Sequence, residues 1–219
     1  MTSNTDAARL SLVSDLVASR MAHELVGPIG AISNGFELLE ELGADAGEDV
    51  MGLVRESTRQ AGARLRFYRL AYGRAGRSVS NVFQLKAAAA EFFQGATKHE
   101  LSWPLPPILP SLPDGAGRLA LVLSELGIDV LPRGGLVKVD TDDDSCRVSA
   151  EGAGATLSPE IVAALTFCSS AEPQDGDPQF EARHAHALLA GVIAADGGWT
   201  LSWAAIEGRI EFTVEFART

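Results

Sequence analysis

The sequence predicts an α+β protein, an N-terminal antiparallel helical hairpin followed by an α/β sandwich domain. Two observations carry the prediction. Apolar residues recur three or four apart from Ala7 to Leu42 and again from Val50 to Tyr72, the spacing of a single helical face. Beyond Ser80 this long periodicity breaks into shorter elements of mixed type, the pattern of helices packed on a sheet.

The first helix rests on Leu10, Val13, Val17, Met21, Leu25, Ile29, Ile32, Phe36 and Leu39. Gly43 to Gly47, rich in Gly and Asp, ends it, and Val50, Leu53, Val54, Ser57, Ala61, Leu65, Tyr68 and Tyr72 continue a second face. Two long helices joined by a short link form an antiparallel hairpin, and a lone hairpin leaves an apolar flank on each helix uncovered. Pairing two hairpins into a four-helix bundle buries both flanks, so a homodimer is expected. Gly73 to Ser80 (GRAGRSVS) reads as a linker, which sets a hairpin domain over 7–76 and a second domain over 80–219. In the second domain, strands are expected at Val137–Thr141, Cys146–Ala150, Thr200–Ala204 and Arg209–Phe216. Helices are expected near Gly117–Leu131, Ser158–Phe167 and Ala182–Ala195. The prolines between Trp103 and Pro113 exclude regular helix there, and Ala171–Pro178 reads as an exposed loop.

With 219 residues, 46% of them hydrophobic, the chain can bury a sizeable core. Eighteen Lys and Arg stand against 29 Asp and Glu, and the formal net charge of −11 disfavours broad attraction to nucleic acid or to anionic lipid headgroups. Neither nucleic acid nor membrane is expected as a partner. Cys146 and Cys168 lack the spacing of a disulfide framework or a zinc knuckle. No apolar run reaches the roughly 20 residues that cross a bilayer, and the N-terminal residues lack the pattern of a signal peptide, so a cytoplasmic location is expected.

The stretch that points to chemistry is Met21–Ser33, MAHELVGPIGAIS. His23, Gly27, Gly30 and Asn34 share one face at helical spacing, small and polar throughout. Each glycine sacrifices about 1 kcal/mol of helix propensity, and in return the imidazole stays open to a docking surface. Pro28 removes a backbone donor and tends to bend the helix. An imidazole is nucleophilic near neutral pH and serves as a reversible phosphoryl carrier. Arg55, Arg59, Arg64, Arg66 and Arg69 give the second helix a basic face that complements a phosphoryl group or an acidic receiver pocket.

The run His23-Glu24-Leu25-Val26-Gly27-Pro28-Ile29-Gly30-Ala31-Ile32 resembles the phosphoacceptor box of bacterial sensor histidine kinases. The resemblance implies phosphorylation at His23, with Glu24 orienting or deprotonating the imidazole, and a second domain derived from the ATP-binding fold of those kinases. That domain lacks the expected nucleotide groups. Val122 and Leu126 stand where the metal- and phosphate-binding asparagines would be. Ala150 of Ala150-Glu151-Gly152-Ala153-Gly154 replaces the adenine-binding aspartate, and Pro178–Arg183 has none of the lid glycines.

An acceptor box joined to a degenerate ATPase domain resembles the ChpT-type histidine phosphotransferases. The likeness extends to Arg66–Gly73 and to Leu131-Pro132-Arg133-Gly134-Gly135. It implies a homodimer that takes phosphate from the receiver domain of a hybrid histidine kinase and hands it to response regulators. Receivers would dock on Gly27, Pro28, Gly30 and Asn34; no cofactor or ATP would be bound, and magnesium would come from the receiver. Rival readings are an ATP-dependent histidine kinase and a non-catalytic dimeric adaptor of two-component signalling proteins. His184-Ala185-His186 is expected on a helix surface with no metal, since residues two apart point to different sides. Ser124-Glu125 receives no role, and Asp142–Asp144 reads as a hairpin turn.

Overall fold

A computed structural model describes residues 4–43, 47–79, 81–167 and 180–217. Two helices, α1 (Asn4–Leu42) and α2 (Gly47–Ala71), form the expected antiparallel hairpin. They are followed by α3 (Val82–Phe93), β1 (His99–Ser102), α4 (Ala116–Asp129), β2 (Gly135–Thr141), β3 (Ser145–Glu151), α5 (Pro159–Thr166), α6 (Ala185–Gly197), β4 (Thr200–Ile206) and β5 (Arg209–Glu215). The fold is α+β, a hairpin ahead of a five-stranded mixed sheet covered by helices.

Strand order in the sheet is β1-β2-β3-β5-β4, with β1 parallel to β2 and the other pairs antiparallel. Alternate residues point to one buried face: Val137 and Val139 on β2, Cys146, Val148 and Ala150 on β3, and Ile210, Phe212 and Val214 on β5. The register sets Val139 opposite Val148 and Val148 opposite Phe212, so apolar side chains meet in a row under α4. The opposite face is polar and carries ion pairs such as Arg147 with Glu211 and Lys138 with Asp140. At the β2–β3 turn, Asp142 Oδ1 accepts from the backbone N–H groups of Asp144 and Ser145, as its sequence suggested.

Two elements escape the sequence reading, α3 and β1. The α3 run VFQLKAAAAEFF buries Leu85, Ala88, Ala89 and Phe93, and its alanines blur the apolar periodicity. The signal present was its cap: Asn81 accepts from Phe83 N–H and Gln84 N–H. The strand β1 has four residues, too few for an alternation to stand out.

The segment read as a linker folds into a short 3-10 turn at Arg74–Gly76, with Gly76 packed against the Leu70 carbonyl where a Cβ has no room. Arg118 of α4 donates to the Ala71 and Tyr72 carbonyls, satisfying acceptors that the end of α2 leaves open. The apolar core runs across this junction. Val13 of α1 and Phe67, Tyr68 and Leu70 of α2 belong to the same cluster as Leu119, Leu123, Val148 and Phe212. Cys168, the expected loop Ala171–Pro178 and the first part of Pro178–Arg183 lie outside the described residues.

Candidate functional site

His23 sits midway along α1 with its side chain exposed. Gly27 and Asn34 are exposed and Gly30 is partly so; a Cβ added at Gly27 or Gly30 meets no heavy atom within 4 Å. The four positions thus form an open strip, as the spacing required. Pro28 lies inside the continuous helix and is partly buried. Its missing N–H leaves the carbonyl of Glu24, four residues back, without the usual partner.

Glu24 faces inward along the hairpin. Its carboxylate lies between Arg20 Nε and Arg64 Nε, 3.7 Å from each, and so joins α1 to α2. The basic face expected on α2 is largely balanced within the chain. Arg59 pairs with Glu56, Arg64 with Glu24, and Arg66 with Glu91 on α3.

Behind Glu24 lies a buried polar network whose members the sequence does not bring together: it assigns Glu125 no role, puts His186 on a helix surface, and makes Tyr72 one more residue of a helical face. Arg20 reaches Asp129 at 3.5 Å and Glu125 at 4.0 Å, both on α4. The Tyr72 hydroxyl donates to Glu125 Oε2 at 2.6 Å, and His186 on α6 places Nε2 2.5 Å from Asp129 Oδ2. Burial pushes the Glu125 carboxyl above its ordinary range even with His186, Tyr72 and Arg20 beside it. Burial pulls the His186 imidazole down, but Asp129 and Glu125 outweigh it and the net shift is upward. The same imidazole overcomes burial at Asp129 and holds that carboxyl below its usual value.

The His184-Ala185-His186 motif is therefore not a helix surface. Both imidazoles are buried, because this end of α6 is covered by α4, α5 and α1. His184 Nδ1 accepts from the Glu181 N–H, in a capping box at the start of the helix. No cluster of three or more potential metal ligands occurs among the described residues. The signal that could have exposed the network was Glu125, a carboxylate set within the apolar run Leu119–Leu131.

Val122 and Leu126 are wholly buried on α4, and Ala150 is wholly buried on β3. The positions compared with nucleotide-binding groups thus belong to the apolar core. No helix among the described residues is long and apolar enough to cross a membrane.

A helical hairpin presenting an uncrowded histidine is thus docked on a helix-covered sheet. Residues 83–209 match the model for the histidine phosphotransferase C-terminal domain. The chain is 34% identical over 206 residues to the protein phosphotransferase ChpT of Brucella abortus (strain 2308), covering 91% of this chain and 93% of that protein. A solved bacterial phosphotransferase superposes with a TM-score of 0.74 at 32% identity, covering 98% of each chain. The chain belongs to the histidine phosphotransferase family.

Proposed function

We propose that this chain is the intermediate of a His–Asp phosphorelay, charged on His23 by the receiver domain of a hybrid histidine kinase and discharged onto the aspartate of response regulators. The observation that carries the reading is the open strip of His23, Gly27, Gly30 and Asn34, which lets a globular partner approach the imidazole. In the charging step an imidazole nitrogen attacks the phosphorus of the aspartyl phosphate. The N–P bond forms as the acyl O–P bond breaks, the receiver aspartate leaves as a carboxylate, and the surplus ring proton passes to solvent. Discharge is the same exchange in reverse on a second receiver, with magnesium supplied by the receiver each time. Glu24, held across the hairpin by Arg64, orients the ring or takes its proton. Gly27, Pro28, Gly30 and Asn34 form the docking floor.

The protein works without ATP or any other bound cofactor, a reading supported by the burial of Val122 and Leu126. It acts as a homodimer in the cytoplasm. Val26, Ile29 and Phe36 on α1 and Leu53 and Leu65 on α2 are exposed in the single chain, as the inner face of a four-helix bundle would be before pairing.

The test is to incubate the protein with ATP and magnesium, and separately with a phosphorylated receiver domain. A relay intermediate acquires label on His23 only from the receiver, and His23→Ala abolishes it. Labelling by ATP alone would identify a kinase, and full relay function in His23→Ala would identify an adaptor.

A further inference from the structure

Arg20 is the residue in the buried network that touches acids on both sides of the junction: Glu24 on its own helix, and Glu125 and Asp129 on α4. Its side chain is only 17% exposed. The network also takes in Arg64 and Tyr72 of α2 and His186 of α6, so four helices converge on it. Arg20, Arg64 and the His186 imidazole face the carboxyl groups of Glu24, Glu125 and Asp129, and Arg20 is the group shared between the two sides. Arg20 is thus the ionic joint between the hairpin and the sheet domain.

This joint lies beside the histidine strip. At about 100° per residue, Arg20 and Gly27 nearly eclipse one another on α1, and His23 stands about 60° to one side. Next to Arg20, Leu16, Val17 and Met21 of α1 pack against the apolar core, and the charged network lies at the edge of that packing. A cavity of about 450 Å³ opens beside the joint, lined by Arg20 from the hairpin and by Asp129, Ser158, Ile161, Arg183 and His184 from the sheet domain. Charge pairing therefore adds to apolar packing in holding α1 against α4 here. A globular domain of about 100 residues has a radius of gyration of about 13 Å. Seated on His23, one helical turn from Arg20, such a partner overhangs the joint and meets the sheet domain beyond it.

Resting on the phosphorelay reading above, we infer that Arg20 is a positioning residue for phosphotransfer: by drawing Glu125 and Asp129 towards α1, it fixes the gap between the His23 strip and the sheet domain that a docking receiver must span. Arg20 does not act on the reacting atoms, and Arg64 continues to hold Glu24 in its absence.

The test separates chemistry from docking. Phosphoramidate transfers its phosphoryl group to an imidazole with ammonia as the leaving group and needs no docking surface. The receiver domain that charges the wild-type chain fastest in a panel needs the whole surface. Arg20→Met is expected to take label from phosphoramidate at the wild-type rate. Its half-saturating concentration for the phosphorylated receiver should rise about tenfold with the limiting rate little changed, and Arg20→Lys should recover part of the loss. Should Arg20→Met fail to fold, Glu125→Gln keeps the shape and the Tyr72 contact and should raise the half-saturating concentration in the same direction. An unchanged value in the variant that folds, or a parallel fall in phosphoramidate labelling, overturns the inference. A wild-type chain that takes label from neither donor would overturn the phosphorelay reading instead.

Discussion

His186 Nε2 on α6 lies 2.5 Å from Asp129 Oδ2 on α4, with the imidazole wholly sealed from solvent. A buried imidazole this close to a carboxylate is stable as the cation. Its value is raised above 6.5 in the fold, so the stability it contributes is complete below that pH and is lost as pH rises through the folded value. Glu125 is also raised, and its contribution is likewise lost on the alkaline side, starting from its ordinary 4.5. The expected outcome is a melting temperature that falls as pH rises, with the Glu125 contribution beginning above 4.5 and that of His186 above 6.5. In His186→Gln the part of the fall that begins near neutrality should vanish, while the part due to Glu125 remains.

Asp129 carries both His186 and Arg20. Replacing it with Asn leaves the His186 imidazole without its ion-pair partner and Arg20 with one acid fewer, and removing one member of a buried pair typically destabilises by about 3 kcal/mol. Urea unfolding of Asp129→Asn should register a loss of that order. A change below about 1 kcal/mol would mean that solvent compensates these charges.

Glycines along α1 serve opposite purposes. A Cβ on Gly35 would run into Cγ2 of Val54 on α2, whereas one on Gly30 meets nothing within 4 Å. Valine has little rotamer freedom with which to yield, so Gly35→Ala should destabilise by about 1–3 kcal/mol. Gly30→Ala should stabilise by about 1 kcal/mol through helix propensity alone. Gly30→Leu should likewise fold well, yet block transfer from receivers; unimpaired transfer would remove Gly30 from the docking floor.

His23→Ala removes an exposed side chain and should shift stability by no more than about 0.5 kcal/mol while abolishing labelling. Thermal melts beside a transfer assay would check both halves.

Ile29 and Phe36 are 51% and 52% exposed in the single chain. If two hairpins pair as proposed, Ile29→Asp or Phe36→Asp places a charge in their seam, and light scattering is expected to report dimer for the wild type and monomer for either variant. A dimer that survives both changes would move the interface elsewhere.

The hairpin and most of the sheet domain were legible in the sequence because their signals are local. The α1 apolar recurrence, the β-branched alternation of β2 and β5, and the strip His23-Gly27-Gly30-Asn34 need no knowledge of a distant partner. What the sequence concealed depends on residues far apart in the chain. Arg20, Tyr72, Glu125, Asp129 and His186 converge only once α1, α2, α4 and α6 pack. His186 looked like surface because its neighbours in sequence say nothing of the acid 57 positions earlier that meets it. The α2 arginines looked available for the same reason, since Glu24 and Glu91 answer them from other helices.

Phe67, Tyr68 and Leu70 close off the interior of the sheet domain while belonging to the hairpin. A fragment ending at Gly73 would carry these side chains into water with their cover stripped away, and the remainder would be left with a matching bare hollow. Neither piece is a self-sufficient module, and grafting the histidine segment onto another scaffold would require bringing α4 along.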